Sequence, residues 1–214
     1  MNLVVFSSKD KTSSEIPFVI QMFENGLGTF HLRKPRASTK EVEEYILAIP
    51  EQFRNRIIIH SHHELASMHK LKGIHYSRTH RKKGLNGKAK FGITRLVHRK
   101  MKFTKSCHAL SSINEDVNKY DYVFLSPIFD SISKEDYKSK FSLTKTKEVL
   151  EKTRQKVYAL GGINPSNIEL AVKTGFDGIG VLGCIWETEK DPLSAYLEVK
   201  GILKELDTKL ILES

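Results

Sequence analysis

Imidazole titrates near neutrality and can both take and give a proton, so the histidines of this chain are its first candidates for chemistry. His108 ends a candidate strand, residues 102–108, and is a candidate general acid/base. Cys107 precedes it in an extended stretch, so its side chain should face the opposite way, which argues against a Cys–His nucleophilic pair. Cys184 reads as a small packed residue. The run His60-Ser61-His62-His63 is a candidate metal site, because H-x-H at a strand end puts two imidazoles on one face. That reading implies a metal-dependent hydrolase, but no clear acidic or cysteine ligand set accompanies the run at the other segment ends. Two glycine turns, Gly161-Gly162-Ile163-Asn164 and Gly183-Cys184-Ile185, follow apolar runs late in the chain. Backbone N–H groups exposed at such turns, together with the dipole of a following helix, suit a phosphate. A single turn is explained as well by glycine's freedom to turn tightly. Two in succession point to an anion.

The elements that must position these residues are short β-type runs rich in Val, Ile, Leu, Phe and Tyr. They span 3–7, 29–33, 57–61, 73–77, 102–108, 122–126, 157–161 and 178–182. Helix patterns occupy the gaps: 15–25 with Ile16, Val19, Ile20 and Phe23 on one face, 39–49 with Val42, Ile46 and Ile49, then 143–154, 166–174 and 192–206. Ser38-Thr39-Lys40-Glu41, Asn164-Pro165-Ser166-Asn167 and Asp191-Pro192 carry N-cap signals, while Gly26 and Gly175 serve as stops. Eight strands alternating with helices, with a repeat of roughly 25 residues, predict an α/β fold: a single (β/α)8 TIM barrel over 1–214. An open doubly wound sheet is the competitor, without its GxGxxG fingerprint after the first strand. In a barrel, ligands sit where strands run into the following loops. His31, Arg33, His60, Ser61, Ser77, Arg78, Ser106, His108 and the stretch 126–134 then form a basic, hydroxyl-rich rim that suits an anion. The segment 78–101 fits the repeat poorly. Gly84-Leu85-Asn86-Gly87 reads as a turn, and Phe91–Val97 as an extra strand or an irregular insertion.

The net charge of +10 over 214 residues is concentrated in one place. Arg78–Lys105 holds 11 Lys or Arg and no acid, which leaves 24 basic and 25 acidic residues elsewhere. Such a patch can steer an anionic ligand, be a solvated loop, or contact nucleic acid. Aromatic interleaving and RNA-binding or zinc-finger signatures are missing, so nucleic acid is not expected as a partner. No apolar run approaches the length of a membrane span, and the start of the chain lacks a signal-peptide core. Two cysteines make no disulfide framework. The expected setting is cytoplasmic, with no membrane partner and a homodimer left open.

Taken in order, the motifs resemble the thiamine phosphate synthase/TenI family. Phe30-His31-Leu32-Arg33 resembles its V-Q-L-R, Ile57-Ile58-Ile59-His60-Ser61 its L-I-I-N-D, and Gly73-Ile74-His75-Tyr76 its G-V-H-L. Ser106-Cys107-His108 is similar to its S-x-H, and the stretch Ser126–Lys134 to G-P-V-F-x-T-x-T-K. Ala159-Leu160-Gly161-Gly162-Ile163 and Gly178–Ile185 match its last two strand ends. The resemblance implies a barrel carrying one of two activities. A synthase joins hydroxymethylpyrimidine diphosphate to thiazole phosphate, releasing pyrophosphate with Mg2+ held by aspartates. A TenI-type tautomerase aromatises carboxythiazole phosphate by moving a proton, with no cofactor.

On this resemblance Gly161, Gly162, Leu182 and Gly183 would bind phosphate. Ser131, Ser133, Lys134 and Arg33 would bind substrate, His108 would be catalytic, and His31, His60 and Ser61 would lie on the pyrimidine side. The chain departs from the pattern at the acids: Ser61 and His60 stand for Asp and Asn, His31 for Gln, Pro35 for Lys, and no acid lies near Thr79-His80-Arg81. Hard Mg2+ prefers carboxylate oxygen. The expected activity is therefore the tautomerase acting on a phosphorylated thiazole. The synthase, with Mg2+, is the first alternative, and a non-catalytic anion- or nucleic-acid-binding barrel is the second.

Overall fold

Alternation along each strand sorts side chains between an inner and an outer core. The computed structural model describes residues 1–9, 14–77, 92–115, 117, 119–130 and 141–213. Its strands are β1 (Asn2–Phe6), β2 (Phe30–Leu32), β3 (Ile57–Ile59), β4 (Gly73–Tyr76), β5 (Lys102–Cys107), β6 (Tyr122–Leu125), β7 (Val157–Leu160) and β8 (Gly178–Val181). Each pairs in parallel with its sequence neighbours, and β1 closes on β8 from Asn2↔Gly178 to Val5↔Val181. This closure is the expected (β/α)8 barrel and rules out the open sheet. Val4, Phe6, Ile58, Tyr122, Phe124 and Tyr158 pack inside it. Their outward neighbours, among them Val5, Ile57, Ile59, Val123 and Val157, pack beneath the helices. Fully burying such a side chain contributes about 1.5–3 kcal/mol.

The helices begin and end where local chemistry dictates. In the Thr39–Ala48 helix the Ser38 hydroxyl accepts from the Glu41 N–H, and the Glu41 carboxylate accepts from the Ser38 N–H, a reciprocal capping box. Its Val42, Tyr45 and Ile46 are buried. Asp191 Oδ1 accepts from the N–H groups of Leu193 and Ser194 at the head of the Pro192–Glu213 helix. Gly175 ends the Ile168–Thr174 helix at φ 95°. Short helices Glu51–Arg54, Glu64–Met68 and Gly183–Trp186, and a 3-10 turn Leu110–Ile113, were too brief to leave a periodic signal.

The expectation of an extra strand or irregular insertion over Phe91–Val97 is corrected. Residues 92–97 are helical, and a closed barrel has no free edge to accept another strand. Residues 78–91, with the expected turn at 84–87, lie outside the described residues.

One buried ion pair ties the loops after β1 and β2 together. Lys34 Nζ lies 2.8 Å from Glu15 Oε1, with both side chains only 3% exposed. Tyr45 OH donates to the same oxygen at 2.8 Å, and Lys34 Nζ also donates to Ser8 O and Oγ at 3.2 Å. The pair holds in register the two loops that bring Lys9 and Arg33 to the barrel mouth.

Candidate active site at the barrel mouth

A cavity of about 860 Å³ opens at the carboxyl ends of the strands. Phe6, Arg33, His60, His75, Ser77, Ser106, His108 and Ser126 line one side, and the turns after β7 and β8 line the other. Lys9 and Lys190 stand at its edge with Glu187 and Glu198; Lys9 pairs with Glu187 and Lys190 with Glu198.

On the β7–β8 side, Gly161, Gly162, Leu182 and Gly183 all border the cavity. Gly162 has φ 70°, and a Cβ there would lie 2.5 Å from the carbonyl oxygens of Phe129 and Asp130. Only glycine lets this turn run against the loop after β6. The amides of Asn164 and Asn167 donate to the Gly162 carbonyl at 3.2 and 2.8 Å and fix the turn. Trp186 Nε1 donates to Phe6 O at 2.7 Å and pins the Gly183–Trp186 helix to β1.

The opposite side is built from imidazoles. Strand register explains their meeting. Ile59↔Ile74 sets His60 beside His75, His75 pairs with Thr104, and Thr104 pairs with Tyr122. His60 and His75 stack with centroids 4.1 Å apart. His31 Nδ1 lies 2.9 Å from His60 Nε2, and His31 Nε2 lies 2.6 Å from Tyr122 OH. His75 Nδ1 bonds Thr104 Oγ1 at 2.8 Å, and His75 Nε2 lies 3.3 Å from Ser106 Oγ. All three rings are buried. Burial, and secondly the neighbouring His75, hold His31 and His60 well below the usual imidazole pKa, which favours neutral rings.

The other expected residues fall in different places. Arg33 and His108 line the cavity, and His108 is exposed, its Nδ1 2.9 Å from the Ser126 carbonyl. Cys107 is buried on the outer side of β5, with Sγ toward Ser112 O, as alternation required. Ser61 is half-buried and is not among the residues lining the cavity. Ser131, Ser133 and Lys134 lie outside the described residues.

The H-x-H expectation for His60 and His62 is corrected. β3 ends at Ile59, and the chain turns at His62 with φ 52°. His62 Nε2 then bonds Ala37 O and its Nδ1 bonds Thr39 Oγ1, away from His60. His63 packs its ring against Tyr76. The residues that do join His60, His31 and His75, come from neighbouring strands.

A family model described as thiamine monophosphate synthase matches residues 2–185. The chain belongs to the thiamine monophosphate synthase family. It is similar to the thiamine-phosphate synthase of Anoxybacillus flavithermus, 26% identical over 196 residues, covering 86% of this chain and 85% of that protein. A local match to the thiamine-phosphate synthase of Latilactobacillus sakei is 31% identical over 94 residues, 43% of this chain and 42% of that protein. The crystal structure of thiamine phosphate pyrophosphorylase from Bacteroides thetaiotaomicron superposes with a TM-score of 0.76 at 28% identity, covering 97% of this chain and 98% of that one.

For the family's Mg2+ the residues present do not fit. The stretch 65–114 contains no Asp or Glu. Among the described residues the ends of β3, β4 and β5 offer imidazole and hydroxyl donors, where Mg2+ requires oxygen ligands with carboxylate charge. Within this family barrel, sequence reasoning missed His75, Thr104 and Tyr122 as site residues. Strand parity was the available signal: His31 and His75 each occupy an inward position in mid-strand.

Proposed function

We propose that this chain is a thiazole phosphate tautomerase of the thiamine monophosphate synthase family. One observation carries the reading: imidazoles and hydroxyls stand in the half of the mouth where a diphosphate substrate would need acids to hold Mg2+, and residues 65–114 supply none. The half suited to a single phosphate keeps its glycine turns at Gly161, Gly162, Leu182 and Gly183, which border the cavity with Lys9 and Lys190.

In this reading those backbone groups take the phosphate. Ser131, Ser133 and Lys134 contribute hydroxyl contacts and positive charge, and Arg33 holds the substrate carboxylate as a bidentate partner. His108 takes a proton from one ring position and returns one at another, so the substrate is rearranged without change in composition. General acid/base action of this kind contributes typically about 10²–10⁴-fold. The test is aromatisation of carboxythiazole phosphate by purified protein. If His108→Ala keeps full activity, the proton transfer belongs to another group.

The names carried by the relatives favour a second reading, the synthase itself. Supplying hydroxymethylpyrimidine diphosphate, thiazole phosphate and Mg2+ to the same protein separates the two readings by product. Rapid release of pyrophosphate with formation of thiamine phosphate would make the synthase correct and the tautomerase wrong.

A further inference from the structure

Three imidazoles drawn from β2, β3 and β4 converge at the base of the cavity. One ring nitrogen from each of His31, His60 and His75 lies within 4.8 Å of the others. We propose that His31, His60 and His75 bind a borderline divalent transition ion of the zinc or cobalt class, and that Mg2+ does not occupy the site.

The outer hydrogen bonds favour this arrangement. Thr104 Oγ1 holds His75 Nδ1, and Tyr122 OH holds His31 Nε2. Tyr122 engages one nitrogen of His31 and leaves the other, Nδ1, facing His60 Nε2; His75 Nε2 lies 3.3 Å from Ser106 Oγ, a contact that ion capture replaces. A ligating histidine whose second nitrogen is fixed by an oxygen partner is the usual support for a metal site. Imidazole is a poor ligand for hard Mg2+ and a good one for zinc, cobalt, nickel and copper.

The distances set what must move. Tetrahedral coordination with Zn–N bonds of about 2.0–2.1 Å needs N···N separations of about 3.3 Å. The His31–His60 pair, at 2.9 Å, parts by a few tenths of an ångström. The His60 and His75 rings are stacked at 16° to one another, which holds their in-plane lone pairs in nearly parallel, separate planes. Capture of the ion therefore opens the stack. His60 and His75 line the cavity, so the ion's remaining position faces whatever the cavity holds, the open-site arrangement in which zinc acts as a Lewis acid.

The experiment uses the full chain after chelator treatment, titrated with Zn2+ by calorimetry and with Co2+ by visible absorption. The expected result is one ion per chain and the intense ligand-field bands of a low-symmetry Co2+ site. His60→Ala and His75→Ala should each weaken binding at least about 100-fold, and Thr104→Val and Tyr122→Phe about 10-fold. His69→Ala, at a histidine paired with Glu43, should change nothing. Millimolar Mg2+ should not displace Co2+. Absence of binding overturns the proposal, as does displacement by Mg2+. It is also overturned by stoichiometric binding that survives His75→Ala, which would place the ion elsewhere. Should the histidine variants fail to fold, unaltered affinity in both Thr104→Val and Tyr122→Phe is the overturning result. Metal affinity is read without substrate, so failure here leaves the tautomerase reading standing, and the converse holds.

Discussion

Removing the Lys34 ammonium leaves the Glu15 carboxylate buried without its cation. At 2.8 Å and an effective dielectric constant of about 20, the attraction between the two is about 6 kcal/mol, much of it offset by desolvation of both ions. Breaking such a pair from one side costs about 3–5 kcal/mol, whereas replacing both members is close to neutral. Lys34→Met should therefore lower the unfolding free energy by about 3–5 kcal/mol. Lys34→Met combined with Glu15→Gln should recover to within about 1–2 kcal/mol of the parent, because Gln keeps an acceptor for the Tyr45 hydroxyl. Urea unfolding followed by circular dichroism measures all four members of this double-mutant cycle, with unchanged denaturant slopes as the check on two-state behaviour. A loss below about 1 kcal/mol for Lys34→Met would refute the reasoning, since that is the scale of a solvated surface pair.

Other outcomes follow from the same geometry. Gly162→Ala should both destabilise the fold by more than about 2 kcal/mol and abolish phosphate binding, measured by calorimetry with inorganic phosphate, because its Cβ meets two carbonyl oxygens. Gly175→Ala, also at positive φ but with nothing within 4 Å of its Cβ, should cost only about 1 kcal/mol and spare binding; equal costs would contradict the steric account. His31 and His60 have pKa values depressed by burial, so below about pH 6.5 the unfolded chain takes up protons that the native chain refuses. Stability they contribute above that pH is lost on acidification at up to about 1.4 kcal/mol per pH unit for each ring. Urea midpoints of metal-free protein that match at about pH 7.5 and about pH 5.5 would contradict this. Burial pushes the Cys184 thiol up to about 12, so iodoacetamide should leave it unlabelled in native protein at about pH 8 and modify it after unfolding; prompt native labelling would show the thiol to be accessible.

The barrel was legible because its signals are local. Strand runs, the Ser38–Glu41 capping box and the glycine stop at Gly175 each depend on a handful of adjacent residues, and the structure reproduces them. The expectation over Phe91–Val97 failed for a non-local reason: a short run in which Ile93, Leu96 and Val97 are interspersed with polar residues suits a strand or a helix until closure of the barrel removes the edge. The imidazole cluster was half legible. His31 and His60 stand out as departures from a family pattern, but their meeting with His75, Thr104 and Tyr122 depends on register across five strands, which no window of sequence contains. His62 misled because H-x-H implies a continuing strand, whereas β3 had already ended.

The two sides of the mouth are drawn from separate stretches of chain, with histidines supplied between positions 31 and 108 and glycine turns between 161 and 183. Substitutions in the first stretch exchange side chains on strands whose backbone path is set by barrel closure, so they leave the second stretch undisturbed. Such a scaffold evolves like a tool with a fixed handle and an exchangeable head. Point changes at positions 31, 60 and 75 can redirect which partner molecule is admitted while the glycine turns on the other side are inherited intact.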